Sequence, residues 1–522
     1  MTELQNAQQP LTETAAHEAG FTTHTGAHDH GAGVGLIKPG YDKRLTNEDL
    51  APLRDQNWSW YNIFAFWMSD VHSVGGYITA GSLFALGLTS WQVFVCLITG
   101  ITIVLFFCNL VAKPSQRTGV PFPVICRSVF GVLGANIPAI IRGLIAVAWY
   151  GIQTYLASAA LDILLVRMFP GLLPYSDLAQ HGFLGLSALG YGTFAILWVA
   201  QAAVFWTGMN TIKRFIDFAG PAVYVVMIAL CVYLLKESGW NVNLNLSDHE
   251  LSGTQVFTTM LAATALVVSY FSGPMLNFGD FSRYGRTFKD VKKGNFWGLP
   301  VNFLFFSVLT VLTAAATVPV YGELITDPVQ TVGKIDNTFA LVLAALTFTT
   351  ATIGINIVAN FVSPAFDFSN VNPQKISWRM GGMIAAVGSV LLTPWNLYNN
   401  PETIHYTLDT LGAFIGPLFG VLIAHYYVVH KQQVCIDDLF TLDESGAYHY
   451  TRGYNPSAIW ATAIAALCAI CAVFVPGINK FDDYSWFIGC GVGFVAYVLI
   501  APRMGIGAEQ LAAKTVGKSV TV

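Results

Sequence analysis

Two pairs of polar side chains recur four residues apart in otherwise apolar stretches: Trp149 with Gln153, and Asn356 with Asn360. Four residues make one helical turn, so each pair shares a helix face. An indole is a flat stacking surface, and a side-chain amide supplies both donor and acceptor. The combination suits a flat heterocycle with a cyclic amide or urea edge. Read without a ligand, the same amides are interhelical glue, because buried Asn and Gln often hydrogen-bond neighbouring helices in membranes. A third apolar stretch, 66–77, holds Asp70 and His72 beside Ser69, Ser73, Gly75 and Gly76. Ionisable groups at membrane depth are expensive and face a pathway or a partner. A histidine, with its reference pKa of about 6.5, suits proton exchange near neutrality. Asp70 could equally accept hydrogen bonds from unwound backbone. A fourth segment, 277–284, carries Asp280 and Arg283 near a membrane boundary. That placement favours a gate contact or a structural salt bridge over contact with a substrate.

The elements that must position these groups follow from composition. Of 522 residues, 54% are hydrophobic and 11% charged, against roughly 25% charged in soluble domains. Runs such as 91–108 and 219–235 approach the ~20 apolar residues needed to cross a hydrocarbon core of roughly 30 Å. The chain is therefore expected to be an all-α polytopic membrane protein. Twelve spans are predicted, at 60–84, 88–111, 136–166, 186–207, 215–235, 256–281, 295–320, 338–361, 379–396, 406–429, 457–475 and 485–501. Residues 118–134 are expected to form a short re-entrant or interfacial piece. With the N-terminus inside, 22 of the Lys and Arg fall in cytoplasmic segments, Arg127 and Arg142 among them. Only Arg167, Lys236, Lys334 and Lys480 fall outside. That asymmetry predicts cytoplasmic termini.

The net charge of -4 and the dispersed basic residues leave no nucleic-acid footprint. Most of the eight cysteines lie in apolar segments and read as small core hydrophobes. The polar start has no apolar signal-peptide core. Residues 1–57 are expected to be a disordered cytoplasmic tail, in which His24, His28 and His30 could bind a metal only loosely. Residues 502–522 should be a second polar tail.

Glycine, and proline with its missing N–H, weaken helices. They interrupt the first span at 69–76 and the sixth at 270–277. Exposed backbone is tolerated at membrane depth only where it lines a cavity. Spans one and six are five apart, so they run in opposite directions. This is the sign of an inverted five-plus-five repeat with a central site built by broken helices. The first repeat would cover 58–235 and the inverted one 256–429, with spans at 457–501 added. Ordinary kinked helices are the alternative.

Together, 57–60 (Asn-Trp-Ser-Trp) leading to Trp67, Trp149 through Gln153, Asn277 through Tyr284, and Asn356 through Asn360 followed by Ser363-Pro364 carry a resemblance. Over about residues 40–500 the chain resembles the first nucleobase–cation symporter family, the hydantoin, allantoin, cytosine and uracil permeases. The resemblance implies a leucine-transporter-like fold of twelve spans. It further implies that Trp149 stacks on substrate, Gln153 hydrogen-bonds it, Asn360 (with Asn356 one turn before) holds the other amide edge, and Ser73 supplies the first-span contact. The family's second stacking aromatic falls at Phe271. Sodium-dependent members carry hydroxyls where this chain has Gly354 and Ile355. Sodium would therefore need Thr352 or Asp70, and proton coupling through Asp70 or His72 is favoured. The expected function is secondary active import of a small planar nucleobase or ureide, uracil first and allantoin or hydantoin second. No cofactor beyond a coupling proton or sodium ion is expected. The carrier should act as a monomer in a plasma membrane of the bacterial inner-membrane type. A channel or a receptor-like sensor is the rival class. No nucleophile–base pair or metal cluster in the spans suggests an enzyme.

Overall fold

The computed structural model describes residues 32–521 apart from 34, 72–73, 245–250, 399, 516–517 and 519. His72 and Ser73 therefore lie outside the described residues, as do His24, His28 and His30. Ten of the described helices are long and apolar enough to cross a bilayer. With the first span, described as Trp60–Val71 and Val74–Ser82, and the shorter helix Trp378–Leu391, they are compatible with twelve spans.

The helix ends follow local chemistry. The second span, Ser90–Thr118, starts at a capping box in which Thr89 and Gln92 satisfy each other's backbone donors. It stops at Gly119, whose φ of 72° is open to glycine without strain. The third span, Asn136–Met168, is the most enclosed of the early helices and packs against the fourth (Ala188–Trp206), eighth and ninth. The first packs against the fifth (Met209–Glu237), seventh and eighth, and the sixth against the second and tenth. The tenth (Pro401–Ile423) also packs on the eleventh (Pro456–Phe474) and twelfth (Ser485–Ile500).

Three expectations need correction. The sixth span does not unwind at 270–277. It is one helix, Gly253–Leu276, with Pro274 inside it. A single missing donor is tolerated in a membrane helix whose neighbours re-satisfy the backbone. The chain turns only at Asn277, before the short helix Gly279–Ser282. Second, residues 35–57 are no disordered tail. Leu45, Leu50 and Ala51 are buried, and Asp42 donates its backbone N–H to the Phe440 carbonyl at 2.8 Å. Third, Arg142 is not in a connection. It lies inside the third span and is fully buried.

The end of the bundle that holds Arg127 and Arg283 is closed by these packed segments. Helix Phe122–Phe130 is buried along its whole length. The C-terminal stretch also docks. Val520–Thr521 pairs antiparallel with Val434–Cys435, with Val434 opposite Thr521, and Leu511 is buried. A second two-residue hairpin, Gly182–Phe183 with Leu186–Ser187, lies at the other end.

Candidate functional site

Four helices meet around a small, tightly closed cavity lined by Asp70, Trp149, Gln153, Tyr270, Phe271, Pro274, Ile355, Ala359 and Asn360. The helices are the first, third, sixth and eighth, so spans five apart face each other in both pairs.

The third span contributes Trp149 and Gln153 from one face. The Trp149 ring meets Tyr270 edge-on at 5.5 Å and lies 5.9 Å from Tyr398. Gln153 is buried, and its Nε2 donates a long hydrogen bond of 3.4 Å to the Tyr270 hydroxyl. Its Oε1 has no partner among the described residues. Gly75 makes this placement possible, because a Cβ there would sit 2.9 Å from Gln153 Nε2. Phe271 reaches the cavity from the sixth span and is braced edge-on by Phe303 at 5.5 Å.

The eighth span departs from the α-helix where its amides lie. Residues Asn356–Val362 form a π-helical segment between Thr338–Ile355 and Ser363–Val371, a widening often found at functional sites. Asn356 does not reach the cavity. Its Nδ2 lies 2.9 Å from the Tyr150 carbonyl, 2.9 Å from Thr154 Oγ1 and 2.7 Å from Gln201 Oε1. Its Oδ1 accepts from Asn360 Nδ2 at 2.9 Å. This leaves Asn360 Oδ1, at the cavity, as the amide atom without a bond among the described residues. Asn356 therefore orients the residue that meets the ligand space.

Asp70 also lines the cavity, with Oδ1 unpartnered among the described residues. Its electrostatic partner is Arg142, which the reading of the sequence had assigned to a loop. Arg142 donates from Nε to the Gly273 carbonyl at 3.3 Å and from Nη2 to the Ala359 carbonyl at 3.2 Å. It thus ties the third span to the sixth and eighth directly below the cavity. Thr352 is fully buried, with Oγ1 unpartnered among the described residues, and is not in the cavity lining. A Cβ at Gly354 would lie 3.7 Å from Ser69 Oγ, so the face where a hydroxyl could stand does look toward the first span.

Asp280 and Arg283 make no ion pair with each other among the described residues. Asp280 accepts from the Phe122 N–H at 2.8 Å and from Asn277 Nδ2 at 3.1 Å. Arg283 donates to three carbonyls, those of Gly119, Asp49 and Ala51, at 3.0, 2.9 and 2.8 Å. Two site residues escaped sequence reasoning. Tyr270 was signalled only by being next to Phe271, and Arg142 only by a charge inside an apolar run.

A family model described as permease for cytosine/purines, uracil, thiamine and allantoin matches residues 52–489. The chain belongs to this permease family. An allantoin permease of Bacillus subtilis (strain 168) is 35% identical over 463 residues, covering 88% of this chain and 93% of that protein. A purine-uracil permease of Arabidopsis thaliana is 32% identical over 481 residues, covering 89% and 79%. Among solved structures, Mhp1, a nucleobase-cation-symport-1 family transporter in a closed conformation with bromovinylhydantoin bound, superposes with a TM-score of 0.73 at 21% identity, covering 90% of this chain and 99% of that one. A sodium-coupled sialic acid symporter gives 0.58 at 12% identity, covering 87% and 91%. The permease is thus a multi-pass transporter with the leucine-transporter-like architecture that the family resemblance implied. Its family consists of permeases, not enzymes.

Proposed function

We propose that the permease imports a small, flat, uncharged ureide or nucleobase, with allantoin ahead of uracil, by alternating access coupled to a cation. The observation that carries this reading is the pair of buried acceptors at one cavity, Gln153 Oε1 and Asp70 Oδ1, that have no partner among the described residues, with the Asn360 amide beside them. A buried acceptor without a partner is costly unless a ligand supplies the donor. Allantoin offers more N–H donors than uracil, which reverses the order of preference drawn from sequence. The 35% identity to a protein named allantoin permease supports the same order. Trp149 and Phe271 supply the flat walls, and Arg142 holds the helices beneath them.

Coupling is to a proton at Asp70, whose carboxylate stands at the cavity beside the Arg142 charge. The absence of hydroxyls at Gly354 and Ile355 weighs against a sodium site of the usual composition. The basic-residue asymmetry supports cytoplasmic termini, and the identity to a bacterial permease supports a plasma membrane of the bacterial inner-membrane type.

The test is uptake of labelled allantoin and uracil by transport-deficient cells, with the sodium and proton gradients collapsed separately. Saturable allantoin uptake that falls with the proton gradient and ignores sodium is expected. Uptake that does not saturate would instead indicate a channel. Asp70→Asn should retain allantoin exchange while losing accumulation against a gradient. Unchanged accumulation would remove Asp70 from the coupling step.

A further inference from the structure

Away from the substrate cavity, at the end of the bundle opposite Arg283, three carboxylates converge. Asp409 projects from the first half of the tenth span, and Asp482 and Asp483 come from the turn Asn479–Tyr484 that leads into the twelfth. One oxygen from each lies within 4.8 Å of the other two. We infer that Asp409, Asp482 and Asp483 form a binding site for a hard divalent cation, with calcium the best match.

Asp409 is only 3% exposed, and its Oδ1 has no hydrogen-bond partner among the described residues. A buried anionic oxygen of this kind needs a positive partner or a donor. Neither lysine nor arginine makes an ion pair with any of the three among the described residues. The nearest candidate in sequence, Lys480, instead sets its amine over the Phe481 ring at 5.2 Å. The arrangement is also held in place. Ser485 Oγ donates to the Asp409 backbone carbonyl at 2.8 Å, fastening the tenth span to the start of the twelfth. Asp482 Oδ1 accepts the Asp483 N–H at 3.0 Å, which fixes the turn.

Like charges this close repel unless a proton or a cation intervenes. The donor set is all oxygen, and two of its three members stand on a short turn that can adjust. That favours calcium, with its flexible coordination by six to eight oxygens, over magnesium, which demands near-ideal octahedral geometry. It also disfavours zinc, which prefers nitrogen and sulfur ligands.

The site would steady the segment above the substrate cavity. His405 stands one turn before Asp409, and its Nε2 lies 3.3 Å from Ser82 Oγ at the end of the first span. Tyr398, just before the helix, shares a 2.6 Å hydrogen bond with Thr79 and packs on Trp149. A cation at Asp409 therefore anchors the span whose leading segment covers Trp149. The inference does not depend on the substrate, since its readout is cation binding.

The test uses the full chain purified in detergent, titrated with calcium chloride, with radiolabelled calcium binding and the thermal unfolding midpoint as readouts. One saturable calcium per chain is expected, half-saturated at about 10⁻⁴–10⁻³ M as in other weak oxygen-ligand sites, together with a raised midpoint. Asp409→Asn and Asp483→Asn should each abolish the calcium-dependent shift. In the presence of chelator both should unfold no lower than the parent, because removing one charge relieves repulsion. Asp483 lies on a half-buried turn, so Asp483→Asn decides the matter if Asp409→Asn fails to fold. No saturable binding by about 10 mM, beyond the weak end of that range, or a calcium shift that persists in both variants, would overturn the inference.

Discussion

The candidate cavity and the closed end around Arg283 are both buried and both polar, yet the charged groups of the closed end are more fully bonded, even though Asn277 Oδ1 and Asp367 Oδ1 beside Asp280 also lack partners among the described residues. Around Arg283, the guanidinium meets three carbonyls, and Asp280 meets a backbone N–H and an amide. Arg127 likewise donates to Asn370 Oδ1 and to the Leu439 carbonyl. At the cavity, Gln153 and Asp70 each keep a buried acceptor that no described residue satisfies. Groups that complete each other's bonds hold the fold. Acceptors left incomplete around the cavity are what the proposed ligand would satisfy. Asn356 joins the two patterns, since its bonded amide holds Asn360 at the cavity.

Substitutions can break this contrast. Arg283→Met should have the largest effect, because it strips buried charged donors from three carbonyls, each bond worth about 1.5–3 kcal/mol. The expected result is loss of most folded carrier from the membrane, measured by immunoblot and fluorescence-detected gel filtration. Normal abundance would mean that the closed end does not rest on Arg283. Gln153→Ala should leave abundance unchanged and cut allantoin uptake about 100-fold, the scale of one lost buried hydrogen bond to a ligand. Reduced abundance with a normal rate per molecule would assign Gln153 to the fold instead. Asn356→Ala should fall between them. It takes the Asn356 donor from Gln201 Oε1, while the Tyr150 carbonyl keeps the Thr154 hydroxyl and Thr154 Oγ1 keeps Gln201 Nε2, lowering stability by about 1–3 kcal/mol, and it releases Asn360, raising KM about tenfold. An effect on stability alone would separate Asn356 from the site.

Lys518→Ala should have the smallest effect. Lys518, about a third exposed, pairs at 2.7 Å with the buried Asp438 beside the docked C-terminal strand. Asp438 keeps the Ala447 N–H on its other oxygen, and water still reaches the amine, so the loss should be about 1 kcal/mol. The Asp438 carboxylate raises the Lys518 amine above its ordinary value. The pair's contribution is therefore complete below the free-lysine range and disappears only as pH rises through the raised value. Between pH 6 and 8 the unfolding midpoint of parent and variant should differ by a constant, small amount.

Much of this was legible before any coordinates, for identifiable reasons. Apolar runs set by bilayer thickness located the spans, and one-turn spacing marked Trp149 with Gln153 as a shared face. The spacing misled at Asn356 and Asn360. In the π-helical segment the two amides bond each other instead of presenting a common face, and nothing in the composition of 356–362 signals that widening. Pro274 suggested a break because proline lacks a donor, but the surrounding helices allow the sixth span to continue to Leu276. Arg142 was counted with the second connection although the third span was placed at 136–166. Its bonds to the Gly273 and Ala359 carbonyls explain why it can lie inside one. Residues 35–57 look polar in sequence. Leu45 and Leu50 are buried, and the segment around them is bonded to Phe440, Ser369 and Arg283, each more than 200 residues away, which local pattern cannot reveal.

The most direct test of the contrast is allantoin binding by isothermal titration to purified parent and Gln153→Ala permease, with the unfolding midpoint of each measured in the same detergent. The account predicts saturable binding to the parent, weakened at least about 30-fold in the variant, with the two unliganded midpoints equal. Equal affinity in the two proteins, or a variant that binds weakly only because it is unfolding, would contradict it.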